Sequence, residues 1–183
     1  RWHLINYLRA LSAADAARLL GPSIEPETPW LAAPDFSFAV GPDYTRSLKD
    51  YRGRKIVLLV LYTLPASYPR LVELSEAHGA LSTLEVEIVA VPTSADPQAI
   101  RRLAGGPLIL YPVATEGARE IVDTYRLFSP APHAEFLIDR QGYLRAVVAA
   151  PGDARRDPNL LLAEVQRLND EKVVPPPAEE HVH

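Results

Sequence analysis

Few residues of this chain can do chemistry. Its 183 residues include five histidines but no cysteine and no methionine. Without Cys there is no thiolate nucleophile, no disulfide exchange, no Cys-ligated zinc and no iron–sulfur cluster. Histidine remains, as metal ligand and as a base near neutral pH. His181 and His183 alternate at the end of a proline-rich tail, a spacing able to chelate Cu(II), Ni(II) or Zn(II). His3 would chelate Cu(II) or Ni(II) only beside a free N-terminus. His78 falls at helical spacing from Leu71 and Leu74 and reads as structural. Ser67 has no base near it in sequence that would make it a nucleophile. Arg70 is placed to meet an anion at a helix start, although a solvated side chain is the more frequent fate. The pairs Arg101-Arg102 and Arg155-Arg156 read as solvated faces. Gly105-Gly106-Pro107 is a helix stop, not a phosphate-binding loop.

Composition narrows the classes further. The net charge of −4 and pI of about 5.7 argue against a general nucleic-acid binder, which needs a basic surface. No apolar run approaches the ~20 residues that span a bilayer. Pro is abundant, at 18 against 9 Gly, so the loops are expected to be fixed rather than flexible. The chain opens Arg1-Trp2-His3 in what reads as the middle of a helix, and is expected to be a piece of something longer.

The elements that would position these residues follow from periodicity and punctuation. Residues 1–20 read as a helical extension, and 21–33 as a proline-rich linker. From there the chain reads as one domain to residue 170, followed by a proline-rich tail over 171–183. Phe36 to Val40 alternates as a strand, and Tyr44 to Leu48 pairs with it across a turn. Lys55 to Tyr62 is a continuous apolar run, as in a strand buried on both faces. A helix is predicted over 67–81, a strand over 84–91 and a helix from Asp96-Pro97 to Leu103. A short strand is predicted over 108–113 and a helix over 116–127. A hairpin follows, 135–139 with 143–149, and then a helix from Asp157-Pro158 to Asn169. Alternating strands and helices argue for an α/β layer.

Four segments in this order resemble the redoxin branch of the thioredoxin-like superfamily, which holds peroxiredoxin-like and thiol–disulfide proteins. They are Ala33-Pro34-Asp35-Phe36, the Leu48 to Gly53 turn, the Lys55 to Tyr62 strand, and Phe136-Leu-Ile-Asp139 with Gly142. Together they span residues 33–169, about three quarters of the chain. The resemblance implies a three-layer sandwich, a central mixed sheet flanked by helices. It also implies a C-x-x-C pair at the start of the helix after the central strand. Aligned without gaps from Lys55, the two thiols fall on Ala66 and Pro69, with Ser67 between them. A serine hydroxyl cannot replace thiolate redox chemistry. The family's cis-proline falls at His133 or, with one extra loop residue, at Pro132, the expectation preferred here. Both readings place His133 near the vestigial redox site. Copper-binding relatives use two thiolates and a histidine from this region. Copper at His133 is therefore one expectation, weakened by the missing sulfurs.

Arg1 to Leu11 is similar to the last helix of class I cytochromes c. Such junctions occur in bacterial membrane proteins linked to copper resistance, which implies a membrane-bound parent whose redoxin domain faces the periplasm. The function expected is a non-catalytic interaction or assembly domain in such a protein. Its docking surface would be the 64–70 loop and the loop around His133, with Tyr62, Tyr68, Tyr111 and Phe128 bordering the cleft. The alternatives are metal handling by His133, and an oxidoreductase-like protein that relies on a partner's thiols.

Overall fold

A computed structural model describes residues 30–41, 44–94, 96–149 and 157–172, with Leu11, Ala13, Ala14, Ala17, Leu20 and Gly21. The N-terminal Arg1 to Ala10 segment and the 173–183 tail lie outside the described residues. The strands are β1 (Leu31–Ala32), β2 (Ser37–Ala39), β3 (Thr45–Ser47), β4 (Ile56–Tyr62), β5 (Val86–Pro92), β6 (Ala134–Ile138) and β7 (Tyr143–Ala149). The helices are α1 (Tyr68–Glu76), α2 (His78–Thr83), α3 (Pro97–Ala104), α4 (Ala118–Tyr125) and α5 (Pro158–Asp170). A 3-10 turn covers Leu48–Tyr51.

Five strands form one mixed sheet in the order β1-β7-β6-β4-β5, and β2 with β3 makes a separate hairpin. β4 lies between a parallel neighbour, β5, and an antiparallel one, β6, with Leu59 opposite Val89 on one side and Phe136 on the other. All seven β4 residues are buried, as their unbroken apolar run requires. The pleat sends alternate side chains to opposite faces. Val57, Leu59 and Leu61 join Phe36, Phe38, Ile121, Tyr125 and Phe136 on one face. Ile56, Leu58, Val60 and Tyr62 join Leu71, Leu74, Leu81, Leu161 and Val165 on the other. Helices thus cover both faces, giving the expected three-layer α/β sandwich. Tyr125 centres the first face, edge-on to Phe136 at 5.0 Å and donating its hydroxyl to the Pro34 carbonyl at 2.8 Å.

Three elements differ from the sequence expectation. The helix predicted over 67–81 is two helices with a break at Ala77. Leu71, Leu74 and Leu81 form a single apolar stripe, which periodicity reads as one helix. The break falls beside Gly79, a poor helix former. Residues 108–113 form no strand, only a bridge between Val113 and Ala90. Pro107 and Pro112 lack amide donors, and Leu110 gives its amide to the Ser75 hydroxyl instead. The segment read as linker ends in a strand: β1 pairs with β7, Leu31 opposite Leu144. Ala17 and Leu20 pack into the first core face, and Gly21 accepts from the Val147 amide.

Gly117 starts α4 with φ at +79°, and a Cβ there would lie 2.6 Å from the Ser37 carbonyl oxygen. Gly79 has open space around it in α2. Gly117→Ala is expected to cost more than about 1 kcal/mol, and Gly79→Ala to stabilise by about 0.5–1 kcal/mol. Urea midpoints of the two variants should move in opposite directions.

Candidate functional site

The site forms where the chain leaves β4 and enters α1. The Leu64–Pro65 peptide is cis. The loop closes by two reciprocal hydrogen bonds, Ser67 N–H to the Thr63 carbonyl at 2.8 Å and Thr63 N–H to the Ser67 hydroxyl at 2.9 Å. Ser67 is the N-cap of α1, yet its side chain caps no helix amide. An N-cap oxygen normally accepts from the second or third helical N–H, and the second residue here is Pro69, which has none. Its hydroxyl instead meets Nδ1 of His133 at 3.0 Å.

His133 stands just before β6, and its Nε2 lies 3.3 Å from Oε1 of Glu135. Glu135 in turn receives a two-pronged contact from Arg70 of α1: Nε to Oε1 at 2.6 Å and Nη2 to Oε2 at 3.1 Å. Nη1 of Arg70 reaches Glu73 at 3.3 Å. The Glu135 and Arg70 side chains are only 3% and 10% exposed. Burial works to raise the Glu135 pKa, but hydrogen bonds from His133 and Arg70 outweigh it and hold the carboxyl at about 2. An ionised carboxylate only accepts, so an imidazole carrying a single proton holds it on Nε2 and presents a bare Nδ1 to the Ser67 hydroxyl. The result is a continuous line, Ser67–His133–Glu135–Arg70.

Ala66 and Pro69, the positions aligned with the thiols, are exposed beside buried Ser67. The Pro132 peptide is trans, which corrects the expectation of a cis-proline there. The Pro132 carbonyl accepts from the Thr63 hydroxyl at 2.7 Å, tying the His133 loop to the β4–α1 loop. Arg70 is neither solvated nor an anion receptor, because Glu135 claims its guanidinium. His78 sits 6.3 Å from the Tyr111 ring, centroid to centroid, as a structural contact. His3, His181, His183 and the Arg155-Arg156 pair lie outside the described residues. Among the described residues no three His, Asp or Glu side chains group as a metal site. Both His133 nitrogens already face protein partners, so a copper ion would have to displace one of them.

Sequence reasoning missed the contact between His133 and Ser67 and the part Glu135 plays in holding His133 and Arg70. The only signal was an acidic residue opening an otherwise apolar strand. A cleft of about 380 Å³ opens on the α3 side of the loop, lined by Leu64, Tyr68, Arg102, Leu103, Leu108 and Ile109 among others. Of the aromatic residues expected to border it, only Tyr68 does so. Tyr62, Tyr111 and Phe128 are buried in the core.

The AhpC/TSA family model matches residues 31–147. No curated protein matches the chain. Among solved structures, reduced Plasmodium vivax 2-Cys peroxiredoxin superposes with a TM-score of 0.63 at 21% identity, covering 75% of this chain and 94% of its own. The thiol:disulfide interchange protein DsbE from Chlorobium tepidum gives 0.58 at 22%, covering 73% and 95%. Plasmodium yoelii thioredoxin peroxidase I gives 0.61 at 24%, covering 82% and 98%. At these identities the likeness establishes the thioredoxin-like fold.

Glu135→Gln leaves the buried Arg70 without a full counter-charge and should cost roughly 3–5 kcal/mol, seen as a lower urea midpoint. Folding depresses the Glu135 pKa from 4.5 to about 2. Its stabilisation is therefore complete above pH 4.5 and lost as pH falls through 2. Wild-type stability should decline across that window, and the Glu135→Gln profile should be flatter there.

Proposed function

This chain belongs to the AhpC/TSA family, and on that premise we propose that it is a redox-silent thioredoxin-fold domain that docks an extended protein segment. One observation carries the reading. The positions aligned with the two thiols are Ala66 and Pro69, and with no cysteine the chain has no group able to exchange with a disulfide. What remains is a shaped face beside the same loop. Its cleft is apolar, and Tyr68 and Leu108 are 39% and 56% exposed. Arg102, at its edge, is exposed and makes no ion pair among the described residues. An apolar pocket beside a solvated cation suits a segment that offers an apolar side chain next to a carboxylate.

The setting we propose is a periplasm-facing membrane protein linked to cytochrome or copper handling. Its support is the cytochrome-like stretch from Arg1 to Leu11. Two further readings stand behind this one. A partner bringing its own thiols would use the same face, and family membership supports that. Copper handling at His133 has the nearby Glu135 carboxylate in its favour, against the need to displace Ser67 or Glu135 from the imidazole.

Selection from a displayed library of extended peptides tests the docking face. Enrichment of an apolar residue beside Asp or Glu is expected, with binding abolished by Leu108→Asp. Arg102→Glu should weaken binding about fivefold, in line with ~1 kcal/mol for an exposed ion pair. Failure to enrich such peptides, or binding indifferent to both substitutions, would sink the reading. Insulin disulfide reduction by the chain should not exceed the reductant-only rate.

A further inference from the structure

We propose that Ser67 is an activated nucleophile, with His133 as its base and Glu135 orienting the base, and that the site takes small acyl esters. The inference concerns the line of side chains inside the loop and does not depend on what docks in the cleft outside it.

The geometry meets two requirements of nucleophilic catalysis by serine. The nucleophile and base must be within hydrogen-bond reach, and a third group must orient the base. Ser67 Oγ is 3.0 Å from Nδ1 of His133, and the opposite nitrogen is 3.3 Å from Glu135. The carboxylate is itself fixed by the two prongs of Arg70. The tautomer is determined by chemistry: Nε2 must donate to the carboxylate, so Nδ1 is left to take the serine proton. The relative order of the two ring nitrogens is reversed from that in the serine proteases, but the roles are the same.

Three features go beyond what a structural network needs. Arg70 and Glu135 already satisfy each other, so their burial does not call for a serine. The Ser67 hydroxyl caps no helix amide; it accepts from the Thr63 N–H at 2.9 Å and its own proton is left for the imidazole. Ser67 also stands at the start of the nine-residue α1, where the partial positive charge of the helix favours a developing oxyanion.

The chemistry balances without a cofactor. Ser67 Oγ forms a bond to the ester carbonyl carbon as its proton moves to Nδ1 of His133. The carbon–oxygen bond to the leaving group then breaks, and His133 returns the proton to the departing alcohol. Water, deprotonated by the same imidazole, attacks the acyl-serine, releases the acid and restores the hydroxyl. Ser67 is only 4% exposed, which limits the acyl group to a small one. Exposed Ala66 and Tyr68 flank it on either side.

The test uses the whole chain and two small probes, diisopropyl fluorophosphate and p-nitrophenyl acetate. The expected result is a phosphoryl adduct on Ser67, located by peptide mass. Its formation should depend on the imidazole. In His133→Gln it should slow by at least about tenfold. Imidazole added to His133→Ala should restore labelling. Ser67→Ala should abolish p-nitrophenol release, and since it also removes the acceptor of the Thr63 amide, its cooperative urea transition is measured alongside to show that the chain is still folded at the assay conditions. An unlabelled Ser67, or labelling at the same rate in His133→Gln as in wild type, would overturn the proposal.

Discussion

A carboxylate in the middle of a protein must be met by a cation, and in this chain that demand organises the functional end of the fold. Glu135 lies in β6, paired with Val60 of the central strand β4, and is only 2% exposed to solvent. Arg70 supplies the charge from the first turn of α1. The contact is short and two-pronged, the geometry that makes a guanidinium a better partner than an ammonium. Taking both ions out of water costs several kcal/mol each, so the pair adds less to stability than its distances suggest. Its larger effect is positional. It pins the start of α1 against the start of β6, and so brings Ser67 and His133 within hydrogen-bond distance of each other.

The loop between β4 and α1 is built to the same end. Thr63 and Ser67 close it by exchanging backbone and side-chain hydrogen bonds, and the Thr63 hydroxyl anchors the Pro132 carbonyl. Proline at 69 removes one of the two helix amides the serine could cap, and the hydroxyl faces the Thr63 amide and His133 instead. Each polar group in the loop therefore has a place, though none is a thiol. The loop is a polar, hydrogen-bonded junction, with an apolar cleft alongside it on the α3 side. Both proposals grow from this arrangement, one from the outer face of the loop and one from its interior.

Beneath the site, the sandwich depends on β4. Seven consecutive buried residues can be accommodated only if both faces of the strand are covered. The two apolar clusters supply that, with α4 and the β2–β3 hairpin on one side and α1, α2, α3 and α5 on the other. A second buried cation, Arg145, repeats the logic of Arg70 further along the sheet. It pairs with Asp139 and Glu171 and lies 4.2 Å over the Trp30 ring. Burial pushes the Asp139 carboxyl up against the opposing pull of Tyr143 and Arg145.

The sequence by itself determined the α/β class, the doubly buried central strand, the final hairpin and the absence of thiol chemistry. Those follow from local patterns: apolar runs, alternation, proline and glycine punctuation, and a missing residue type. It also placed His133 beside the β4–α1 loop, through the order of its motifs. Only the tertiary structure decided the rest. Helix periodicity continues across a break, so the split at Ala77 was invisible. Two residues are too few to show alternation, so β1 was read as linker. An arginine at a helix start looks the same in sequence whether water or a carboxylate receives it, and Glu135 lies 65 residues away from Arg70. Ser67 and His133 are likewise 66 apart. Side-chain type is written locally, but what a side chain faces is set by which strands become neighbours. That is a property of the folded sheet alone.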